Sequence, residues 1–193
     1  MKLYFFSLTS LLLLCSITVS ANCYDSAQSA KNNYMHCKQA AEGGDSIAQY
    51  FIGQMYRKGD GIEKNPQEAL VWYQKAAAQN NIPALYNLGW MHENGTGIPR
   101  NLEEAIRWYT KAASHGDKFA PFNIGSLYYS GRDLPKNVEK ALFWFDLAIL
   151  NGNEKGRKWR AKIAENMLPE QQEQINQRVQ AWKTKHIELN KNP

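Results

Sequence analysis

The stretch Gly59–Ala77, GDGIEKNPQEALVWYQKAA, returns as GTGIPRNLEEAIRWYTKAA over Gly95–Ala113 and as GRDLPKNVEKALFWFDLAI over Gly131–Ile149. Each copy begins 36 residues after the last. A fixed period of this length marks a repeat architecture. One supersecondary unit cannot bury its own apolar face, so units stack and share a continuous core. The register holds residue by residue. Ala48, Ala84, Ala120 and Gly156 share one position, and Gly53, Gly89 and Gly125 another. Asn65, Asn101 and Asn137 share a third, Ala69, Ala105 and Ala141 a fourth, and Trp72, Trp108 and Trp144 a fifth.

Each unit reads as two helices. The first, AQYFIGQMYRKG in unit one, carries Gly53 inside its apolar stripe. A helical Gly costs about 1 kcal/mol against Ala, so it calls for a packing reason, namely close approach of the neighbouring helix. The helix ends at Gly59, Gly95 or Gly131, suited to a left-handed cap. The second helix starts after Asn65, Asn101 or Asn137, each placed as an N-cap. Glu68 and Glu104 follow at capping-box spacing, and Pro66 sits at the first helical position. Ala69, Trp72, Tyr73, Ala76 and Ala77 then form one helical stripe. The tryptophans and Tyr73, Tyr109 and Phe145 are therefore expected in the core.

The expected fold class is all-α, a superhelix of three helix-turn-helix repeats with capping helices. By period the units are 48–83, 84–119 and 120–155, with the repeats spanning 48–153. Residues 22–47 form an N-terminal capping helix, and 154–193 form C-terminal capping helices and a tail. The final helix, with Ile175, Val179 and Trp182 on one side, is expected to close the stack against solvent.

The first residues are set apart. Lys2, an apolar run from Leu3 to about Leu14, and small residues at Val19-Ser20-Ala21 read as a secretory signal cleaved after Ala21. The competing reading is an uncleaved anchor, for which the run is short. Export, periplasmic or beyond, is the expected localisation. With Cys15 removed, Cys23 and Cys37 remain. They read as one disulfide or as two thiols, and an oxidising compartment favours the bond. In one continuous helix over 23–37 the sulfurs would sit roughly 20 Å apart, so bonding requires the chain before about Ser29 to fold back.

Charge is uneven. Residues 22–150 hold 13 Lys and Arg against 13 Asp and Glu, and residues 151–193 hold 9 against 5. The excess centres on Lys155, Arg157, Lys158, Arg160 and Lys162. It reads either as a solvated helix face or as a weak contact for anionic surfaces. A neutral repeat region and export argue against nucleic acid. No later segment is long and apolar enough to span a membrane. No catalytic or metal signature emerges. His92-Glu93-Asn94 stops short of a zinc-protease motif, Cys23 and Cys37 lack a second pair, and no serine begins Ser-x-x-Lys. No enzyme activity, cofactor or metal is expected.

The pattern Ala48…Ile52-Gly53…Tyr56…Gly59-x-Gly61…Asn65…Ala69…Trp72-Tyr73…Ala76-Ala77 resembles the Sel-1-like repeat, a relative of the tetratricopeptide repeat. Unit three departs from it. Asp133 replaces the second turn Gly and Ile149 the second Ala, with a change of curvature as the expected effect. His92 stands where Tyr56 and Tyr128 stand and is expected as a partly buried variant of that aromatic.

The resemblance implies a right-handed α-solenoid whose first helices line a concave surface that binds proteins or peptides. Carried over position by position, that surface comprises Tyr50, Phe51, Gln54 and Arg57, then Tyr86, Asn87, Trp90 and Glu93, then Phe122, Asn123, Ser126 and Tyr129. Asn87 and Asn123 fall where related repeats hold a peptide backbone. Exposed aromatics beside amides suit such a role, although they could merely cover a shallow groove. The implied function is an exported adaptor for a protein or peptide partner. The alternative is a periplasmic immunity protein against an envelope toxin such as a secreted phospholipase. A third reading, a penicillin-hydrolysing enzyme, is weakened because relatives so described carry a cysteine pair in every repeat.

Overall fold

The computed structural model describes residues 23–25 and 27–191, with side chains as far as His186. The expected signal over 1–21 and its cleavage after Ala21 lie outside the described residues. Among those described, the chain forms α1 (Ala30–Glu42), α2 (Ser46–Lys58), α3 (Pro66–Ala78), α4 (Ile82–Asn94), α5 (Leu102–Ser114), α6 (Ala120–Ser130), α7 (Val138–Leu150), α8 (Lys155–Ala164) and α9 (Pro169–Lys191). It is an all-α repeat superhelix. Helices α2, α4 and α6 are the first, or A, helices of the three units. Helices α3, α5 and α7 are the B helices, and each packs most heavily on the A helix of its own unit.

The helical glycines have the packing reason their cost demanded. A Cβ on Gly53 would stand 2.7 Å from the ring of Tyr73, one on Gly89 2.5 Å from Tyr109, and one on Gly125 2.9 Å from Phe145. Each B-helix ring fills a notch that only Gly leaves open. All three rings are fully buried, and burial of a ring contributes about 1.5–3 kcal/mol. The tryptophans divide: Trp72 is buried, but Trp108 and Trp144 are half-buried. This corrects their expected core placement, since the B-helix stripe narrows to Ala105, Tyr109, Ala112 and Ala113 in α5.

The Asn caps form, whereas the capping box forms only in half. Asn65, Asn101 and Asn137 accept from the amides of Glu68, Glu104 and Lys140 at 3.1, 3.0 and 2.8 Å. Their own amides donate to the carbonyls of Tyr56, His92 and Tyr128 in the preceding A helix. The donor a capping-box glutamate would take is thus spent joining the two helices of the unit.

The turns explain the departure in unit three. Gly61 and Gly97 have φ of 74° and 77°, and a Cβ on either would strike the start of another helix, α1 at Ala30 or α3 at Pro66. Asp133 does not share the positive φ. Its carboxylate instead pairs with Arg100 at 2.7 Å, and a depression of about 400 Å³ opens between this turn and the start of α5. An ion pair there replaces close backbone contact.

At the N-terminal end the chain folds back. Cys23 and Cys37 are joined by a disulfide with their Cα atoms 4.7 Å apart. Asn33, buried, accepts from the Asp25 amide at 3.0 Å and donates to the Asp25 carbonyl at 2.7 Å. Ser29 caps α1 through the Asn32 amide.

The C-terminal end follows a different path from the repeats. Helix α8 continues the stack, with Trp159 stacked 6.3 Å from Phe145. Helix α9 does not lie over α8 as a B helix would; it packs along α7 and reaches α5. Ile175 and Val179 are buried there, and Trp182 meets Trp144 edge-on at 6.2 Å. The physical reason is the turn. Units one and two use seven residues, 59–65 and 95–101, whereas α8 and α9 are joined by residues 165–168. The shorter link carries neither the Gly pair nor the Asn cap that aims a B helix back over its own A helix.

A candidate partner-binding face

All the residues the resemblance assigned to a groove lie on α2, α4 and α6, and all are half-buried, neither core nor free. Such evenness follows from the sequence. The Ala-Ile-Gly stripe takes the buried side of each A helix, and the neighbouring positions fall at its edge. The face is continuous across units. Asn123 donates to the Tyr86 hydroxyl at 3.2 Å, and the Arg57 guanidinium lies 5.2 Å over the Trp90 ring. Residues from corresponding halves of adjacent A helices thus meet, so these helices run side by side in one direction.

The N-terminal halves of the A helices supply an apolar rim. Tyr50 packs beside Phe51 and Tyr73, Tyr86 beside Tyr109, and Phe122 beside Phe145, with centroids 5.4–6.0 Å apart. Burial raises the Tyr50 and Tyr86 hydroxyl pKa above the ordinary value. Phe119, 48% exposed, and Ile47, 45% exposed, extend the rim. Tyr24, held by the disulfide-pinned segment, stacks on Phe51 at 5.3 Å. Sequence reasoning did not assign Tyr24, Ile47 or Phe119 to this face. The last two share one repeat position with Pro83, a signal available from the period alone.

The C-terminal halves supply the polar side. Gln54 bonds the Tyr50 hydroxyl. Arg57 Nε donates to the Tyr73 hydroxyl at 3.3 Å, and the Tyr109 hydroxyl donates to Glu93 at 2.7 Å. Burial pushes the Tyr73 hydroxyl up to about 12, against the pull of Arg57. Burial, reinforced by Glu93, raises Tyr109 further still. Both phenols are therefore neutral donors or acceptors at physiological pH. They were expected only as core, yet their hydroxyls floor the face. The sequence signal was a paired change: Arg57 with Tyr73, Glu93 with Tyr109, and Tyr129 with Phe145, where hydroxyl and charge vanish together. Tyr129 packs on Trp159 at 5.0 Å and Ser126 turns its hydroxyl to the Phe122 carbonyl.

The two asparagines are already engaged. Asn87 donates to the Pro83 carbonyl at 2.7 Å, and Asn123 is held by Tyr86. A peptide backbone would have to displace these bonds. His92 is half-buried between helices, with Nδ1 unpartnered and its pKa lowered by burial. The basic cluster on α8 is partly spent: Arg157 pairs with Glu154 and Arg160 with Asp146. Among the described residues no cluster of His, Cys, Asp and Glu could hold a metal, and no helix is long and apolar enough to cross a membrane.

Fold and face together define a helix-turn-helix repeat solenoid with one polar-aromatic side. The Sel1 repeat model matches residues 46–81, 82–117 and 120–153, more than half of the chain, and the chain belongs to the Sel1 repeat family. Sel1 repeats are protein-interaction modules. A Sel1 repeat protein from Oxalobacter formigenes is 33% identical, with a TM-score of 0.65 over 69% of this chain and 54% of that one. Helicobacter pylori cysteine rich protein B shares the fold, at 23% identity and a TM-score of 0.55 over 68% of this chain and 98% of that one. A Sel1-like repeat-containing protein of Acanthamoeba polyphaga mimivirus is 54% identical over 44 residues, which are 23% of this chain and 8% of that protein. The chain thus spans about half of the Oxalobacter protein and under a tenth of the viral one.

Proposed function

We propose that this chain is an exported interaction module that holds a segment of a protein partner across α2, α4 and α6. The observation that carries the reading is the continuous strip of half-buried aromatic and polar side chains crossing three units. Large, rigid rings bind at low entropy cost and dominate interface energetics. Export is supported by the Cys23–Cys37 bond and by the leader-like first residues.

The experiment is affinity capture by residues 22–193 from an envelope extract of the source cell. Trp90→Ala is the primary variant, because Tyr86 and Phe122 also support core rings. Capture of one dominant protein, lost with Trp90→Ala and retained with an outer-face control such as Val71→Ala, is the expected result. Capture indifferent to Trp90 refutes the proposal. If the captured protein is a co-encoded toxin whose action the chain blocks, the adaptor role narrows to immunity.

A further inference from the structure

Building on the reading that the A-helix face holds a partner segment, we infer that the segment is extended and carries an acidic side chain opposite Arg57. About three residues away it carries a basic side chain opposite Glu93.

Arg57 is shaped as a carboxylate receptor. It is half-buried, its Nε is held by the Tyr73 hydroxyl, and the guanidinium carbon lies 5.2 Å over the Trp90 ring. Its Nη atoms have no partner among the described residues, and neither Arg57 nor Glu93 takes part in an ion pair there. A fixed guanidinium with a free edge matches a carboxylate bidentately. Glu93 occupies the same position one repeat on and is held by the Tyr109 hydroxyl. The nearby cation Arg100 is committed elsewhere, its Nε to the Glu93 carbonyl and its Nη2 to Asp133. The register thus presents a plus, then a minus, then the neutral Tyr129.

Spacing sets the ligand. Packed helices lie roughly 8–10 Å apart, and an extended chain rises about 3.3 Å per residue, so about three residues bridge one repeat. The rings of Phe51, Tyr86 and Phe122 form the apolar rim alongside Arg57 and Glu93, so a bound segment can rest apolar side chains on one edge and charges on the other. A second acid opposite Glu93 would meet like charge, so the pair fixes register and direction as well as affinity.

The test is selection of random dodecapeptides displayed on phage against the disulfide-bonded protein, residues 22–193. Wild type should enrich peptides with an acid and a base about three residues apart in one consistent order. The double variant Arg57→Glu with Glu93→Arg should enrich the reversed order, and Arg57→Gln should weaken the best wild-type peptide by about ten-fold. Unchanged thermal melts show that the variants are folded. Peptides that require Trp90 but show no charge order overturn the inference and leave the face standing. Absence of any enriched peptide, or enrichment indifferent to Trp90→Ala, overturns both.

Discussion

Gly89→Ala tests the packing logic of the whole repeat. In an unhindered helix this substitution would stabilise by about 1 kcal/mol. Here the new Cβ would stand 2.5 Å from Cδ1 and 2.7 Å from Cε1 of Tyr109. That is about 1 Å inside ordinary carbon contact. The ring has nowhere to go. It is fully buried, faces Tyr86 at 5.4 Å, and is tethered through its hydroxyl to Glu93 at 2.7 Å. Relief must come from moving α4 away from α5. Overpacking costs about 1–3 kcal/mol, and a 2.5 Å approach to an immobile ring belongs at the upper end, about 2–3 kcal/mol, which the propensity gain of about 1 kcal/mol offsets only in part. The expected net loss is about 1–2 kcal/mol, read as a lower urea midpoint by circular dichroism with unchanged slope. The cost should follow the geometry across units. Gly53→Ala meets Tyr73 at 2.7 Å with a looser hydroxyl bond of 3.3 Å, and Gly125→Ala meets Phe145 at 2.9 Å with no hydroxyl at all. The order of loss should be Gly89, Gly53, Gly125. In a Tyr109→Phe background, untethering the ring should soften Gly89→Ala, a coupling measurable by a double-mutant cycle. A neutral or stabilising Gly89→Ala would refute the argument that the ring, and not the backbone, demands Gly.

Replacing Cys23 and Cys37 together by Ser should cost about 2–3 kcal/mol, because the bond closes a loop of roughly 15 residues; reduction of the wild type should give the same shift in urea midpoint. Asn101→Ala should cost about 1 kcal/mol through loss of the α5 cap, whereas Asn101→Ser should restore most of it in the same assay. Asp117, whose carboxylate caps α6 through the Phe119 and Ala120 amides at 2.8 and 2.6 Å, has its pKa raised by burial. A raised carboxyl pKa makes its contribution greatest below the unfolded value, and the contribution is lost as pH rises through the folded one. Asp117→Asn, the residue unit two already uses at Asn81, should therefore raise stability at neutral pH but not in acid. Equal effects at both would refute this.

Much of the fold was legible because the repeat states it three times. Helix pairs, Asn caps, left-handed Gly ends and the Gly notch each follow from a local rule that the period reinforces. The face was legible as positions but not as chemistry. That Tyr73 and Tyr109 reach through the core to hold Arg57 and Glu93 depends on where two helices cross. No single-helix pattern encodes that crossing, although the paired loss of hydroxyl and charge at Phe145 and Tyr129 hinted at it. The engagement of Asn87 and Asn123 was likewise invisible, since an amide's partner is decided by competition among neighbours after packing.

Helix α9 shows how little sequence a change of path requires. Its apolar side of Ile175, Val179 and Trp182 has the period of a B helix and would serve either role. What differs is the link over residues 165–168, too short for the Gly turn and Asn cap of the other units. So α9 crosses to α7 and α5 and covers the B-helix side of units two and three. There Trp144 gains Trp182 as a cover. The A-helix side of the same units receives no such cover among the described residues, and there the half-buried Tyr86, Trp90 and Phe122 stand. Helix α9 thus spends its apolar surface on the B-helix side, and among the described residues the uncovered aromatic surface is concentrated where Arg57 and Glu93 supply charge.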